Sequence, residues 1–380
     1  MQSATEAATE LEKRRLSETF VRLCEISSPS GRELEVSRTV RGELESIGIA
    51  VDEDDTSAQT GAECGNLFAT LPGPEGAPAV MLCAHLDTVP VAGAVEVENV
   101  DGIFRSRGDT ILGADNKAAV AVLLELARRH AATPPPVTCE LVFTMSEENG
   151  LRGARALDLS RLRADIGFVL DHASPIGELI VAAPSYYQVT AHFRGTAAHA
   201  GIRPEEGRSA IAAAAKAIEA MELGRIDEGT TANVGLIEGG TASNVVPERC
   251  DLKAEVRSLD DARAVEKVGK MVDALTWAAS TTETDVDTQI EEQFRAYRIP
   301  ESDPVVAIAQ NALRDCGITP VCKSTGGGSD AHAFQAKGLR CLNMANGTEG
   351  NHTPDESVSA WALEKMLDVA LRLLARSAEA

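Results

Sequence analysis

Basic side chains are scarce in this sequence: 36 Lys and Arg stand against 58 Asp and Glu, a formal charge of −22 over 380 residues. A surface of that sign repels nucleic acid and anionic membrane, so neither is an expected partner, and it favours solubility without identifying a substrate. Long apolar runs are missing too. No stretch approaches the roughly 20 apolar residues that a membrane helix needs, and the alanine-rich run 210–221 is broken by Lys216 and Glu219. Residues 1–20 are polar and charged, with no apolar core of signal-peptide type. The expected location is therefore the cytoplasm. The eight cysteines, at 24, 64, 83, 139, 250, 316, 322 and 341, contain no CxxC pair. That pattern predicts scattered free thiols rather than a disulfide framework or a cysteine-bound zinc. No short repeat is visible, which excludes a solenoid. The run Gly326-Gly327-Gly328 lacks the Lys-Ser/Thr of a phosphate loop.

What is present suffices for packed cores: 44% of residues are hydrophobic, and the length exceeds what one core usually serves. Amphipathic helices are predicted over 6–25, 32–47 and 117–130, and buried strands over 79–84, 139–145 and 166–170. Strands alternating with helices of this length predict an α/β fold, a mixed, mostly parallel sheet with helices on both faces. The middle of the chain reads differently. A strand over 186–195, a helix over 207–221, strands over 231–236 and 250–258, a helix over 262–279 and strand-like residues 283–293 predict an α+β sandwich of ferredoxin-like order. The expected organisation is a discontinuous catalytic domain, 1–184 and 296–380, interrupted by a smaller domain at 185–295.

Several chemically capable side chains fall where predicted strands end, and function gathers at such ends in parallel sheets. His85 and Asp87 share a strand face, so that His85 could bind a metal while Asp87 accepts its other ring proton. Asp115 precedes a helix, as an ordinary N-cap or as a carboxylate bridging two metals. Glu147 and Glu148 are adjacent acids after a strand, and could divide the roles of ligand and general base. Asp171 and His172 close another strand and either could ligate. His352 lies in a polar turn near the C-terminus. One His–carboxylate set per ion, joined by a shared carboxylate, suits two divalent cations: zinc first, with manganese or cobalt as alternatives.

The ordered motifs HLDTVP, GADNKA, SEENGLRGA, VLD and NHTPDE, with AAHAGIRPEEGRSAI at 197–211 and GGTASNVVPERC at 239–250, resemble the M20 family of dinuclear zinc peptidases and amidases, and most of all its peptidase T-like branch. The resemblance spans nearly the whole chain. It implies a zinc exopeptidase-like catalytic domain with an inserted lid and dimerisation domain. It implies that His85, Asp115 and Asp171 hold one zinc, that Asp115, Glu148 and His352 hold the other, that Glu147 is the general base, and that Asp87 orients His85. His199 and Asn244 resemble residues that approach the reacting carbonyl, and Arg257 one that pairs with a substrate carboxylate. Otherwise Arg257 pairs with an acidic neighbour and Asn244 shapes a turn. The implied activity is a tripeptidase-like aminopeptidase acting on short peptides, working as a homodimer through the inserted domain. Asp rather than Glu at 171 favours that over a carboxypeptidase or an N-acyl amino acid amidohydrolase. A non-catalytic metal-stabilised scaffold is the reading from another class.

Overall fold

A computed structural model describes residues 6–379. Chain contacts divide it into two compact units, one comprising 6–181, 299–324 and 329–379, the other 182–298 with 325–328.

The first unit is built on a sheet whose main strands are β1 (Val51–Glu53), β2 (Leu67–Leu71), β3 (Ala79–His85), β4 (Thr138–Thr144), β5 (Ile166–His172), β6 (Glu178–Ala183) and β7 (Arg340–Ala345). They lie in the order β1-β2-β4-β3-β5-β7-β6. The centre is parallel, β4 with β3, β3 with β5 and β5 with β7, and antiparallel pairs close both flanks. Every residue of β4 and all but the first of β3 are buried. A strand buried along its whole length must be covered on both faces, which is why these strands read as unbroken apolar runs. Helices α1 (Glu10–Cys24), α2 (Leu34–Ser46), α3 (Ala114–Ala132), α4 (Pro304–Asp315) and α5 (Ala360–Ser377) supply cover. The central one, α3, packs on β3 and meets α1, α2 and α5.

Helix α1 starts four residues later than its amphipathic pattern predicts, because Thr9 caps it: its side chain accepts from the Glu12 amide while the Glu12 carboxylate takes the Thr9 amide. Glu12 also meets Arg129 of α3, which donates through Nε at 2.7 Å and through Nη2 at 2.6 Å. Both side chains are buried. All eight cysteines are free. No helix among the described residues is long and apolar enough to cross a membrane.

In the second unit, strands Ser185–Arg194, Thr230–Gly239, Arg249–Ser258 and Asp285–Phe294 form an antiparallel sheet with helices Ala210–Ala220 and Asp261–Thr281. Numbered one to four along the chain, the strands lie in the order 2-3-1-4, the ferredoxin-like arrangement. Tyr187, Val189, Ala191 and Phe193 alternate inward onto Ala210, Ala213, Ala217, Met271 and Leu275, the period-two burial of a sheet with one covered face. The first helix is shorter than its alanine-rich pattern, starting where Ser209 accepts from the Ala212 amide.

The Glu12–Arg129 pair gives a test of the first unit. Burial alone would raise the Glu12 pKa, but its bonds from Arg129 and Thr9 bring it from 4.5 down to about 2. Its contribution to stability is therefore complete above pH 4.5 and is lost as pH falls towards 2. Arg129→Met leaves a buried carboxylate unpaired and should cost about 3–5 kcal/mol at neutral pH. Urea unfolding at neutral pH and near the bottom of that window should show the variant's deficit shrinking in acid. An unchanged deficit would contradict the assignment.

Candidate metal centre

Three neighbouring parallel strands deliver acids and a histidine to one edge of the sheet. Residue 85 ends β3 opposite Thr144, the last residue of β4, and Cys83 lies opposite Val169. That register sets Asp171 level with His85 and leaves Glu147 and Glu148 just beyond β4. Asp115 comes from the start of α3. The alternative reading of this residue, a helix cap, finds no capping bond: Asp115 has the extended backbone of a cap, φ −80°, ψ 105°, but its carboxylate faces His85, His352 and Asn351, and no amide of α3 donates to it among the described residues. Gly113 has φ +75°, a conformation that favours glycine. The fifth contributor is the loop between strands Thr348–Glu349 and Ser357–Ser359, where His352 sits at φ 66°.

The donor atoms fall into two sets that share one residue. His85, Asp115 and Asp171 form one, and Asp115, Glu148 and His352 the other, each with its donors within 4.8 Å of one another. Asp115 presents a different oxygen to each. Its Oδ1 is 3.3 Å from His85 Nε2, which is itself 3.4 Å from Asp171 Oδ1. Its Oδ2 is 3.4 Å from His352 Nε2 and accepts from Asn351 Nδ2 at 2.8 Å. Donors about 2.0–2.2 Å from a tetrahedral zinc stand roughly 3.4 Å apart, so these spacings match an ion's ligand shell. His352 and Glu148 are closer, 2.8 Å, a direct hydrogen bond. The nitrogen and oxygen donors fit divalent zinc, manganese or cobalt. A third grouping brings Glu147 and Glu148 near His85. His172 joins none of these groups.

Buried side chains hold the ligands by their backbones. Asp87 Oδ1 accepts from the Glu147 amide at 2.9 Å, and Oδ2 from the Glu148 amide at 3.1 Å and from Ser30 Oγ at 2.6 Å. His85 Nδ1 faces both the Asp87 carbonyl, at 3.0 Å, and its carboxylate, at 3.3 Å. Asp87 thus fixes the ring and both acids. Residues whose part was not legible beforehand complete the support. Glu33 accepts from Ser146 N and Oγ, Asn343 brackets the Asp171 peptide with two 3.2 Å bonds, and Glu356 accepts from the amides of Gly113 and Asp115. Thr144 donates to buried Asp330. Only Glu356 lay within a quoted motif; Glu33, Asn343 and Asp330 stand outside all of them. Lys117, buried in α3, donates to the Ile26 carbonyl, and burial draws its amine down to about 8.

Crowding polarises the titrations. Burial, reinforced by the Asp171 charge, holds Glu147 well above the ordinary carboxylate range, and burial raises Asp171 against the pull of His85. Glu148 is raised by burial and partly relieved by its bond to His352. Burial would also raise Asp115, but hydrogen bonds from His352 and His85 hold it low. The same bonds, to Asp115 and then Glu148, push His352 up to about 10. Protons on the two histidines and on the most buried acids offset the crowding of four carboxylates, and divalent cations would supply that positive charge in their place.

The other nominated residues lie in the second unit. His199 and Asn244 come together there: residues 199 and 245 form a β-bridge, and the Ala200 amide donates to the Asn244 carbonyl. His199 is exposed. Arg257 donates to Glu255 through two nitrogens, at 3.1 and 3.4 Å, and to the Gly326 carbonyl. Its guanidinium stacks 4.3 Å from the Tyr186 ring centre. This is the acidic-neighbour pairing. A Cβ on Gly328 would lie 2.6 Å from Phe294 Cζ, so close packing explains that glycine.

Residues 81–376 match the family described as peptidase family M20/M25/M40. The uncharacterized protein YqjE of Bacillus subtilis is 37% identical over 97% of this chain and 99% of its own length. Among solved structures, aminopeptidase PepT from Bacillus cereus superposes with a TM-score of 0.85 at 37% identity, covering 96% of this chain and 99% of PepT. A tripeptidase from Staphylococcus aureus gives 0.90 at 33% identity, covering 97% and 99%.

Ligands must shed protons to bind a cation, and His85 and His352 are both held protonated above the ordinary histidine range in the ion-free protein. Zinc or manganese binding near neutral pH should therefore release protons, and affinity should climb as pH rises towards about 10, where His352 deprotonates unaided. Titration calorimetry in buffers of different ionisation heat measures this directly. Binding without proton release would exclude the two histidines as ligands.

Proposed function

The chain belongs to peptidase family M20/M25/M40 and is a hydrolase; on that premise we propose a metal-dependent aminopeptidase of the peptidase T-like branch that removes the N-terminal residue from short peptides, as a tripeptidase does. The observation that carries it is the division of labour at the centre. Asp115 offers one oxygen to each donor set. Glu147, beside them, forms no side-chain hydrogen bond among the described residues and is anchored through its backbone to Asp87. In this reading His85, Asp115 and Asp171 hold one cation and Asp115, Glu148 and His352 the other, with zinc as the working metal. Bound there, such ions supply Lewis acidity, acidifying a water and polarising the scissile carbonyl.

The chain's own residues do the rest. Glu147, whose carboxyl is kept basic by burial and by Asp171, takes the proton of the attacking water and passes it to the departing amine. Asp87 keeps the Glu147 backbone and the His85 ring in register. His199 is the proposed donor to the developing oxyanion, and Asn244 and Arg257 the proposed substrate-positioning groups. Arg257 would release Glu255 to take a substrate carboxylate, which its planar fork suits. The second unit, 185–295 in the sequence reading, is the proposed lid and the contact with a second copy. Support for that contact comes from Leu236 and Ile237, exposed apolar residues on a strand whose far half has no neighbour on its outer side among the described residues. The proposed location is the cytoplasm, where eight free thiols stay reduced.

A free tripeptide and its N-acetylated form, each with and without a chelator, test the assignment by mass spectrometry. Chelator-sensitive loss of the first residue from the free peptide alone is expected. Cleavage of the acetylated peptide, or release from the C-terminal end, would replace the aminopeptidase with a deacylase or carboxypeptidase. Glu147→Gln should lower kcat by about 10²–10⁴ with KM and metal content little changed. Full activity in that variant would remove Glu147 from the mechanism and reopen the scaffold reading.

A further inference from the structure

We infer that Glu356 is a positioning residue for both halves of the centre, acting through the main chain of Asp115; this rests on reading the two donor sets as ion sites. Glu356 belongs to neither set. It is buried, and its two carboxylate oxygens are divided between two amides: Oε2 accepts from Gly113 N at 2.7 Å and Oε1 from Asp115 N at 2.9 Å.

The turn needs such a clamp. Gly113 is left-handed, and Asp115 and Asn116 depart from helical angles, so the regular bonds of α3 do not hold this stretch. Without an outside acceptor the amides of 113 and 115 would be buried donors with no partner, which costs about 1–3 kcal/mol each. Glu356 meets that need from four residues beyond His352, in a loop tied by bonds from Thr353 N to Gly350 O and from Glu356 N to Thr353 O. One side chain therefore joins the backbone that carries Asp115 to the loop that carries His352.

Asp87 also reaches both sets, through the His85 ring and the Glu148 amide, but Glu356 is the anchor of the residue that the sets share. Asn343 holds only the Asp171 peptide, and Asp171 serves one set. Asp115 serves both, one oxygen each. A shift of its backbone displaces both oxygens together, so loss of the Glu356 clamp weakens two sites at once.

Glu356→Gln keeps the shape but turns one accepting oxygen into an NH₂ group, which cannot accept from either amide. Zinc titration of the full chain against a chromophoric chelator should give two tight sites in the wild type. In E356Q both affinities should fall together, by about 10–100-fold, while the ion-free protein stays folded with a thermal midpoint lower by a few degrees, the cost of one unmet amide. Asn343→Ala should weaken one site and spare the other. Glu356→Asp, which retains both acceptors on a shorter stem, should lie between wild type and E356Q, and serves if the glutamine variant fails to fold. Wild-type affinities in E356Q, or loss at a single site, would overturn the inference while leaving the two-ion reading intact. Fewer than two ions in the wild type would instead remove the reading on which it rests.

Discussion

The centre depends on one carboxylate placed between two histidines. Asp115 directs Oδ1 to His85 and Oδ2 to His352, and it is the only member common to both outer donor sets. To occupy that point it departs from helical angles in the first turn of α3. The backbone at 113–116 is accordingly irregular, and its amides are answered by a buried acid from a distant part of the chain. The local conformation of α3, the loop around His352 and the end of β3 are thus mutually dependent.

Carboxylates gathered at one sheet edge repel one another, and burial makes each harder to ionise. The arrangement separates them by function. Asp87 and Glu356 spend their oxygens on main-chain amides. Asp115 and Glu148 are bonded to imidazole. Glu147 is left with no side-chain hydrogen bond among the described residues, and burial and the Asp171 charge hold it well above the ordinary carboxylate range. The acid best suited to take a proton near neutral pH is the one whose side chain is not committed elsewhere.

The two units obey different packing rules. The first buries strands along their full length under helices, and chemistry collects where parallel strands end together. The second exposes one sheet face and one edge, and its nominated residues rest on local pairings: Arg257 on Glu255 and Tyr186, His199 beside Asn244. The Arg257 pairing is made by part-exposed side chains, whereas residues 199 and 244 are held by backbone bonds.

The sequence alone determined the alternation of strands and helices, the change of style in the middle of the chain, and the identity of the acids and histidines at strand ends, since all of these follow from short-range periodicity and spacing. Its expected helix starts were displaced wherever a capping side chain, Thr9 or Ser209, ended the pattern. Whether Asp115 was a cap or a bridge, whether Asp171 or His172 pointed inward, and which of two adjacent glutamates was tied to a histidine could not be read locally, because each depends on residues 30 to more than 230 positions away. Glu33, Asn343 and Glu356 gave no signal of their own as supports for the same reason: an acid or amide that holds a backbone N–H is chemically ordinary until the fold brings that N–H to it. Strand-end placement offered the candidate acids and histidines, and the family resemblance sorted them into sets; only the parallel register of the sheet and the return of the C-terminal loop decided which oxygen faces which histidine.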